Sequence, residues 1–278
     1  MGETHERRPL PAVTLAGVEP VYGTILEVAR GMWAVQGIRF TEVDFQKFPR
    51  EGGAVVAINH TGYLDFPFGG KPAYAAGRRK VRFMAKKEVF DNSKSGPVMR
   101  ALKHIPVDRE AGAEAYAAAV RALQAGELVG VYPEATHSRS FELKGFKSGA
   151  ARMAIEAGVP IVPVVVWGAQ QIWTKGLPKK LGRNRFRIMI GVCDPIQPEG
   201  TAEELTARLK SEMQAMLLKL QDLYGPHPQG EPWVPRRLGG TAPTLEEAEA
   251  MDAADIEERR RRRDEGDRGE GQAAGADA

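Results

Sequence analysis

The sequence predicts an α/β fold: a central, mostly parallel (mixed) sheet flanked by helices, preceded by an amphipathic helical segment and followed by a charged tail. Two observations carry this. Short continuous apolar runs at 54–58, 81–84, 128–132, 161–166 and 185–192 alternate with segments of helical composition. Apolar runs without polar alternation suit strands covered on both faces, the usual situation of parallel sheets. The segments 111–125 and 147–157 also stop at Gly126 and Gly158, and glycine ends helices because it takes positive φ without a steric penalty.

In chain order, residues 1–19 are Pro-rich and polar and read as a flexible N-terminus. Over 20–36, Val21, Tyr22, Ile25, Leu26, Ala29, Met32 and Trp33 fall near helical spacing. That stripe suits a helix packed on the body, or an interfacial helix with Trp33 at headgroup depth. Helices are expected near 66–77, 94–102, 111–125 and 147–157. A long one is expected over 201–224, opened by a Thr201/Glu204 capping box and carrying Leu205, Leu209, Met213, Met216, Leu217, Leu220 and Tyr224 on one face. The stretch GPHPQGEPWVP then breaks regular structure, so 225–278 reads as a Pro/Gly-rich linker and a charged, flexible tail. Its run Arg259 to Arg263 is largely neutralised by Glu257, Glu258, Asp264 and Glu265, which argues for a solvated segment over a nucleic-acid contact.

Composition narrows the function classes. With Cys193 as the only cysteine, an intramolecular disulfide is impossible and a cytoplasmic address is the default. The sequence has no apolar stretch of about 18 residues or more, the length of a spanning helix, and no long apolar signal-peptide region near its start. The net charge of +3 hides an asymmetry: residues 1–224 hold 31 basic and 23 acidic side chains. A basic body suits an anionic lipid surface, a phosphate-bearing substrate or nucleic acid; a scattered, solvated surface is the plainer reading.

The residues that bear chemistry cluster after the apolar runs. His60 and Asp65 stand directly behind 54–58. At this spacing an imidazole and a carboxylate can meet and form a base, although a lone His after a strand is more often structural. Further His, Cys or carboxylate residues at ligand spacing are lacking, so no metal site is expected, and no G-x-S-x-G elbow offers a serine nucleophile. Three more stations follow: Ile105 to Arg109, Tyr132 to Arg139, and Val159 to Val164. Taken singly, Arg109 is a surface arginine, Glu134 caps a helix, and Val-Pro-Ile-Val-Pro is an edge pattern.

Taken together, in this order, the four stations resemble the glycerolipid acyltransferase family, typified by the 1-acylglycerol-3-phosphate acyltransferases. The N-H-x-x-x-x-D block is Asn59, His60 and Asp65. The second block ends at Arg109, F-P-E-G-T-R-S reads Tyr132 to Ser138, and V-P-I-V-P is Val159 to Pro163. The third block has Ala135 in place of Gly and His137 in place of Arg, with Arg139 two residues on to supply a guanidinium. The resemblance implies an acyltransferase domain over 20–224. It implies His60 as general base oriented by Asp65, and an acceptor site shaped by Glu134 and Thr136. Arg109 and Arg139 would hold the acceptor phosphate, because a guanidinium grips phosphate oxygens with two parallel bonds. Glu134, which would repel phosphate, is expected to orient an arginine or a glycerol hydroxyl. Lys144, Lys147 and Ser148 read as a solvated helix start or as further anion contacts. The donor would be acyl-CoA or acyl carrier protein as co-substrate, with no cofactor. The acceptor would be lysophosphatidate, with glycerol 3-phosphate, another lysophospholipid or a glycolipid as alternatives. The protein would work peripherally on the inner face of the cell membrane. A catalytically silent lipid-binding protein and a nucleic-acid binder are the competing readings; neither uses His60 and Asp65, and no recognition motif supports the second.

Overall fold

In the computed structural model, the described residues are 19–108 and 112–274. Seven strands form one sheet: β1 (Arg39–Val43), β2 (Ala54–Ile58), β3 (Val81–Lys86), β4 (Ile105–Val107), β5 (Leu128–Val131), β6 (Ile161–Trp167) and β7 (Arg187–Val192). Their spatial order is β1-β7-β6-β2-β5-β3-β4, and every pairing is parallel except β6 with β7. The α/β, mostly parallel sheet expected from the apolar runs is therefore the fold. Both edge strands are absent from that reading: RFTEV of β1 alternates and stays half-exposed, and β4 is only three residues long with a central proline.

The centre of the sheet is buried on both faces. All five residues of β2 and all seven of β6 are buried, and each Val or Ile so placed contributes roughly 1.5–3 kcal/mol relative to exposure. Alternation along β2 divides the core: Val55 and Ala57 face one apolar layer, Ala54, Val56 and Ile58 the other. The first layer is covered by α6 (Gly112–Gln124), α7 (Gly149–Ala157) and α8 (Ala202–Tyr224). The second is covered by α1 (Pro20–Gln36) with the short helices α2 (Asp65–Gly69) and α3 (Lys71–Ala75).

Several expected boundaries shift for local reasons. The helix expected over 66–77 is two pieces that part at Gly70. Pro72 has no N–H for the carbonyl one turn back, so a continuous helix is interrupted there. Gly69 lies so close to Ile58 that an added Cβ would sit 2.5 Å from its side chain. The expected 94–102 helix becomes α5 (Gly96–Ala101), preceded by α4 (Lys87–Asp91). The capping box of α8 forms: Thr201 N–H donates to Glu204 at 2.8 Å, and Glu204 N–H donates to Thr201 Oγ1 at 3.2 Å.

Trp33 is not at headgroup depth. It is buried, edge-on to Phe40 at 5.5 Å and tilted on Phe68 at 5.1 Å. Glu19, assigned by sequence to the flexible start, is pinned by Arg82 and Lys103, at 2.5 and 3.2 Å; residues 1–18 lie outside the described residues. The segment after α8 also differs from a loose linker. Trp233, Val234 and Ala242 are buried in the first core layer, and Trp167 Nε1 donates to His227 Nε2 at 3.2 Å. Beyond it, Leu245–Ala274 form α9, a polar helix whose only buried apolar residue among those described is Ala248. Among the described residues no helix is long and apolar enough to cross a membrane.

His104 joins β3 to the turn before β4. Its Nδ1 accepts the Phe83 N–H at 3.1 Å, and burial, then the Arg82 charge, lowers its pKa to about 4. The folded state thus needs neutral imidazole, while the unfolded chain takes a proton near pH 6.5. This contribution is complete above pH 6.5 and is lost as pH falls toward 4. His104→Asn, which retains an acceptor, should flatten the decline of the urea midpoint between pH 6.5 and 4 relative to wild type. An unchanged decline would contradict this assignment.

Candidate active site

The carboxyl ends of β2, β5 and β6 meet at one place, where open α/β sheets carry their ligands. The loop leaving β2 is fixed from several sides. Asn59 behaves as one more strand residue: its Nδ2 donates to the Val166 carbonyl at 3.0 Å and its Oδ1 accepts the Val166 N–H at 2.7 Å. Ser138 N–H donates to the His60 carbonyl at 2.7 Å, and Thr174 Oγ1 to the Thr61 carbonyl at 2.6 Å.

Within this frame Asp65, at the first position of α2, is fully buried. Its Oδ2 accepts the N–H groups of Thr61 at 2.6 Å and Gly62 at 2.7 Å, and lies 3.3 Å from His60 Nδ1. The ring nitrogen facing a carboxylate carries the proton, which leaves Nε2 of His60 with the lone pair. The imidazole is held between two rings: Tyr132 stacks at 3.8 Å between centroids and His137 at 3.7 Å. Burial, then the Asp65 charge, raises the Tyr132 hydroxyl well above its ordinary value. Burial first, then the charges of His60, Lys175 and Lys86, lowers His137 to about 3. His137 is therefore neutral at neutral pH and cannot replace an arginine as a fixed cation.

Glu134 does not orient an arginine. Its Oε1 accepts the His60 N–H at 2.8 Å and its Oε2 the Lys144 N–H at 3.0 Å, so it clasps the loop after β2 to the loop after β5. Burial raises its carboxyl to about 7, against the two N–H donors, which favour the ionised form. Thr136 is exposed, and its Oγ1 accepts from Lys144 Nζ at 2.8 Å. Lys144 is buried, not part of a solvated helix start. Arg109 lies outside the described residues. Arg139 turns to the C-terminal helix: its guanidinium lies 3.3 Å from Asp252 and 2.5 Å from Asp255. Lys144 pairs with Asp252 at 2.6 Å, and Lys175 with Asp255 at 2.5 Å. Burial raises the Asp252 carboxyl, but its hydrogen bonds and charge contacts with Lys144 and Lys175 outweigh this and hold it below its ordinary value.

The sequence offered no reason to single out Lys175, Asp252 and Asp255. They stand outside the four motif blocks and meet the site only through folding. A signal for the ring stack existed in the two aromatic side chains, Tyr132 and His137, that flank Glu134 in the third block. Among the described residues no group of three His, Cys, Asp or Glu side chains is placed to hold a metal.

The arrangement is an α/β domain with an imidazole–carboxylate pair at the carboxyl ends of its central strands. The Acyltransferase family matches residues 39–167. The 1-acyl-sn-glycerol-3-phosphate acyltransferase of Bacillus subtilis is 30% identical over 138 residues, 48% of this chain and 67% of that protein. The enzyme of the same name from Limnanthes douglasii is 34% identical over 97 residues, a match spanning only 34% of either chain. The crystal structure of the 1-acyl-sn-glycerophosphate acyltransferase PlsC from Thermotoga maritima superposes with a TM-score of 0.57 at 18% identity, over 72% of this chain and 88% of that one. The chain belongs to the acyltransferase family, as its four motif blocks imply.

The departure at Ala135 has a backbone consequence. Ala135 holds φ at +62°, a left-handed conformation that costs a residue with a Cβ roughly 1–2 kcal/mol and that glycine takes freely. Ala135→Gly should therefore raise the unfolding free energy by about 1 kcal/mol in urea denaturation. A destabilised variant would mean that this turn is not strained.

Proposed function

We propose that this protein transfers a fatty acyl group from a thioester donor, acyl-CoA or acyl carrier protein, to the hydroxyl of lysophosphatidate, with His60 as general base. The observation that carries this reading is the His60–Asp65 pair, 3.3 Å apart, with the carboxylate buried and locked by two backbone donors. Nε2 of His60 takes the acceptor O–H proton as that oxygen attacks the thioester carbonyl. Asp65 stabilises the imidazolium that results. Collapse of the tetrahedral intermediate breaks the C–S bond, and the imidazolium returns the proton to the leaving thiolate. The products are an ester and a free thiol, and the nucleophile comes with the acceptor. The N–H groups of Ala135, Thr136 and Ser138 are engaged by the carbonyls of Tyr132, Glu134 and His60, so none of the three serves as an oxyanion donor in this conformation.

An apolar cavity of about 330 Å³ between α1 and the α2–α3 pair supports a lipid donor. Tyr22, Leu26, Trp33, Leu64 and Phe66 line it, and the last two flank Asp65. Peripheral binding to the inner face of the cell membrane is supported by the exposed Val28, Met32 and Val35 on α1 and by the basic body. Interfacial attachment of this kind is weak and salt-sensitive.

Thiol release from acyl-CoA with lysophosphatidate tests the reading. His60→Ala should lower kcat/KM by roughly 10²- to 10⁴-fold, the contribution of a positioned base, with Asp65→Asn showing a large loss as well. Unchanged turnover in a folded His60→Ala protein would sink the mechanism. Glycerol 3-phosphate, other lysophospholipids and glycolipids assayed as competing acceptors decide the acceptor class.

A further inference from the structure

Three cations converge beside the loop that holds His60, and the C-terminal helix covers them. Lys144 Nζ reaches Thr136 Oγ1 and Asp252, Arg139 reaches Asp252 and Asp255, and Lys175 reaches both carboxylates. The side chains of Lys144 and Arg139 are only 11% and 12% exposed. This is a desolvated cluster that demands an anion, because buried charge without a counter-charge is strongly disfavoured. Its link to the base is short: Lys144 N–H and His60 N–H bind the two oxygens of one carboxylate, Glu134, and Arg139 stands two residues beyond the ring stacked on His60.

The anions now present are tethered rather than intrinsic to the domain. Asp252 and Asp255 are three residues apart on α9, hence on one helical face. They deliver two negative charges to one point, the charge of a phosphate monoester dianion. Among the described residues, apolar packing contributes little to holding this part of α9. Met251 and Ile256, beside the two aspartates, are 41% and 64% exposed, and the buried Ala248 lies one turn earlier. Ion pairs of this kind exchange readily for a ligand with the same charge, since most of their attraction offsets desolvation.

We propose that Arg139, Lys144 and Lys175 form a phosphate-monoester subsite and that α9 closes it as a built-in competitor, with Asp252 and Asp255 in the place of the phosphate oxygens. The ligand must displace the helix to bind. Identification of the ligand as the acceptor headgroup rests on the function proposed above; the anion site itself does not.

The test compares the full-length Asp252→Asn/Asp255→Asn double variant with a Glu246→Gln/Glu249→Gln control, which removes the same charge from exposed positions of the same helix. Binding of inorganic phosphate, followed by thermal shift and calorimetry, needs no turnover. The double variant should bind phosphate at least five-fold more tightly than wild type, the control should match wild type, and Lys175→Ala added to the double variant should remove the gain. Equal phosphate affinity in wild type and double variant, or an equal gain in the control, overturns the proposal. With turnover, KM for lysophosphatidate should fall in the double variant while KM for acyl-CoA, and for a phosphate-free monoacylglycerol if it is used, stays constant. A parallel rise in both KM values would assign the two aspartates a structural role and overturn it as well. Tightened phosphate binding in a protein that acylates no phosphate-bearing lipid would keep the subsite and reject only the acceptor reading.

Discussion

A carboxylate without solvent organises this molecule's working end. Asp65 is completely buried, and an ion so placed is tolerated only when its oxygens are saturated with donors. Two backbone N–H groups and the His60 ring supply them to Oδ2, and the Thr61 hydroxyl donates to Oδ1 at 3.4 Å. To present those donors, the chain from 60 to 65 must curl tightly around the start of α2. Neighbouring segments fix that curl: Asn59 extends β2 into a pairing with Val166, Thr174 and Ser138 hold the loop's carbonyls, and Glu134 grips the His60 N–H. The loop's conformation is thus imposed by β5 and β6 as much as by its own residues.

Glu134 extends the same logic to a second layer. A glutamate beside three basic side chains reads as an ion-pair partner if its charge is taken alone. Placed between two backbone N–H groups and shielded from water, it acts as a clasp between the His60 loop and the cation cluster. The aromatic sandwich of Tyr132 and His137 then sets the plane of the imidazole. His137 occupies a place where the family pattern has arginine, and burial keeps it neutral. Positive charge is supplied from farther along the chain, by Arg139, Lys144 and Lys175, and it meets the aspartates of α9 rather than open solvent.

The C-terminal fifth of the chain shows how composition misleads. Its proline and glycine content does break regular structure over 225–235, as expected. Breaking a helix is not the same as leaving the core, however, and Trp233, Val234 and, further on, Ala242 are buried. Trp33 is the converse case. An amphipathic stripe with an aromatic residue fits a membrane interface as well as it fits a protein interior, and Phe40 and Phe68 decide for the interior.

The sequence by itself determined the α/β class, the positions of five buried strands, the capped helix after Thr201 and the pair His60 and Asp65. Each is encoded locally, by an apolar run, a capping box or a short motif within a few residues. Tertiary structure alone decided the strand order, the edge strand over Arg39–Val43, the role of Glu134 and the meeting of Arg139, Lys144 and Lys175 with Asp252 and Asp255. These depend on long-range contacts: Arg139 and Asp255 are 116 positions apart, and the β1 residue Arg39 pairs with Arg187 of β7. A charge's partner over such a distance is fixed by how the helices pack on the sheet, and no local pattern of residues records it.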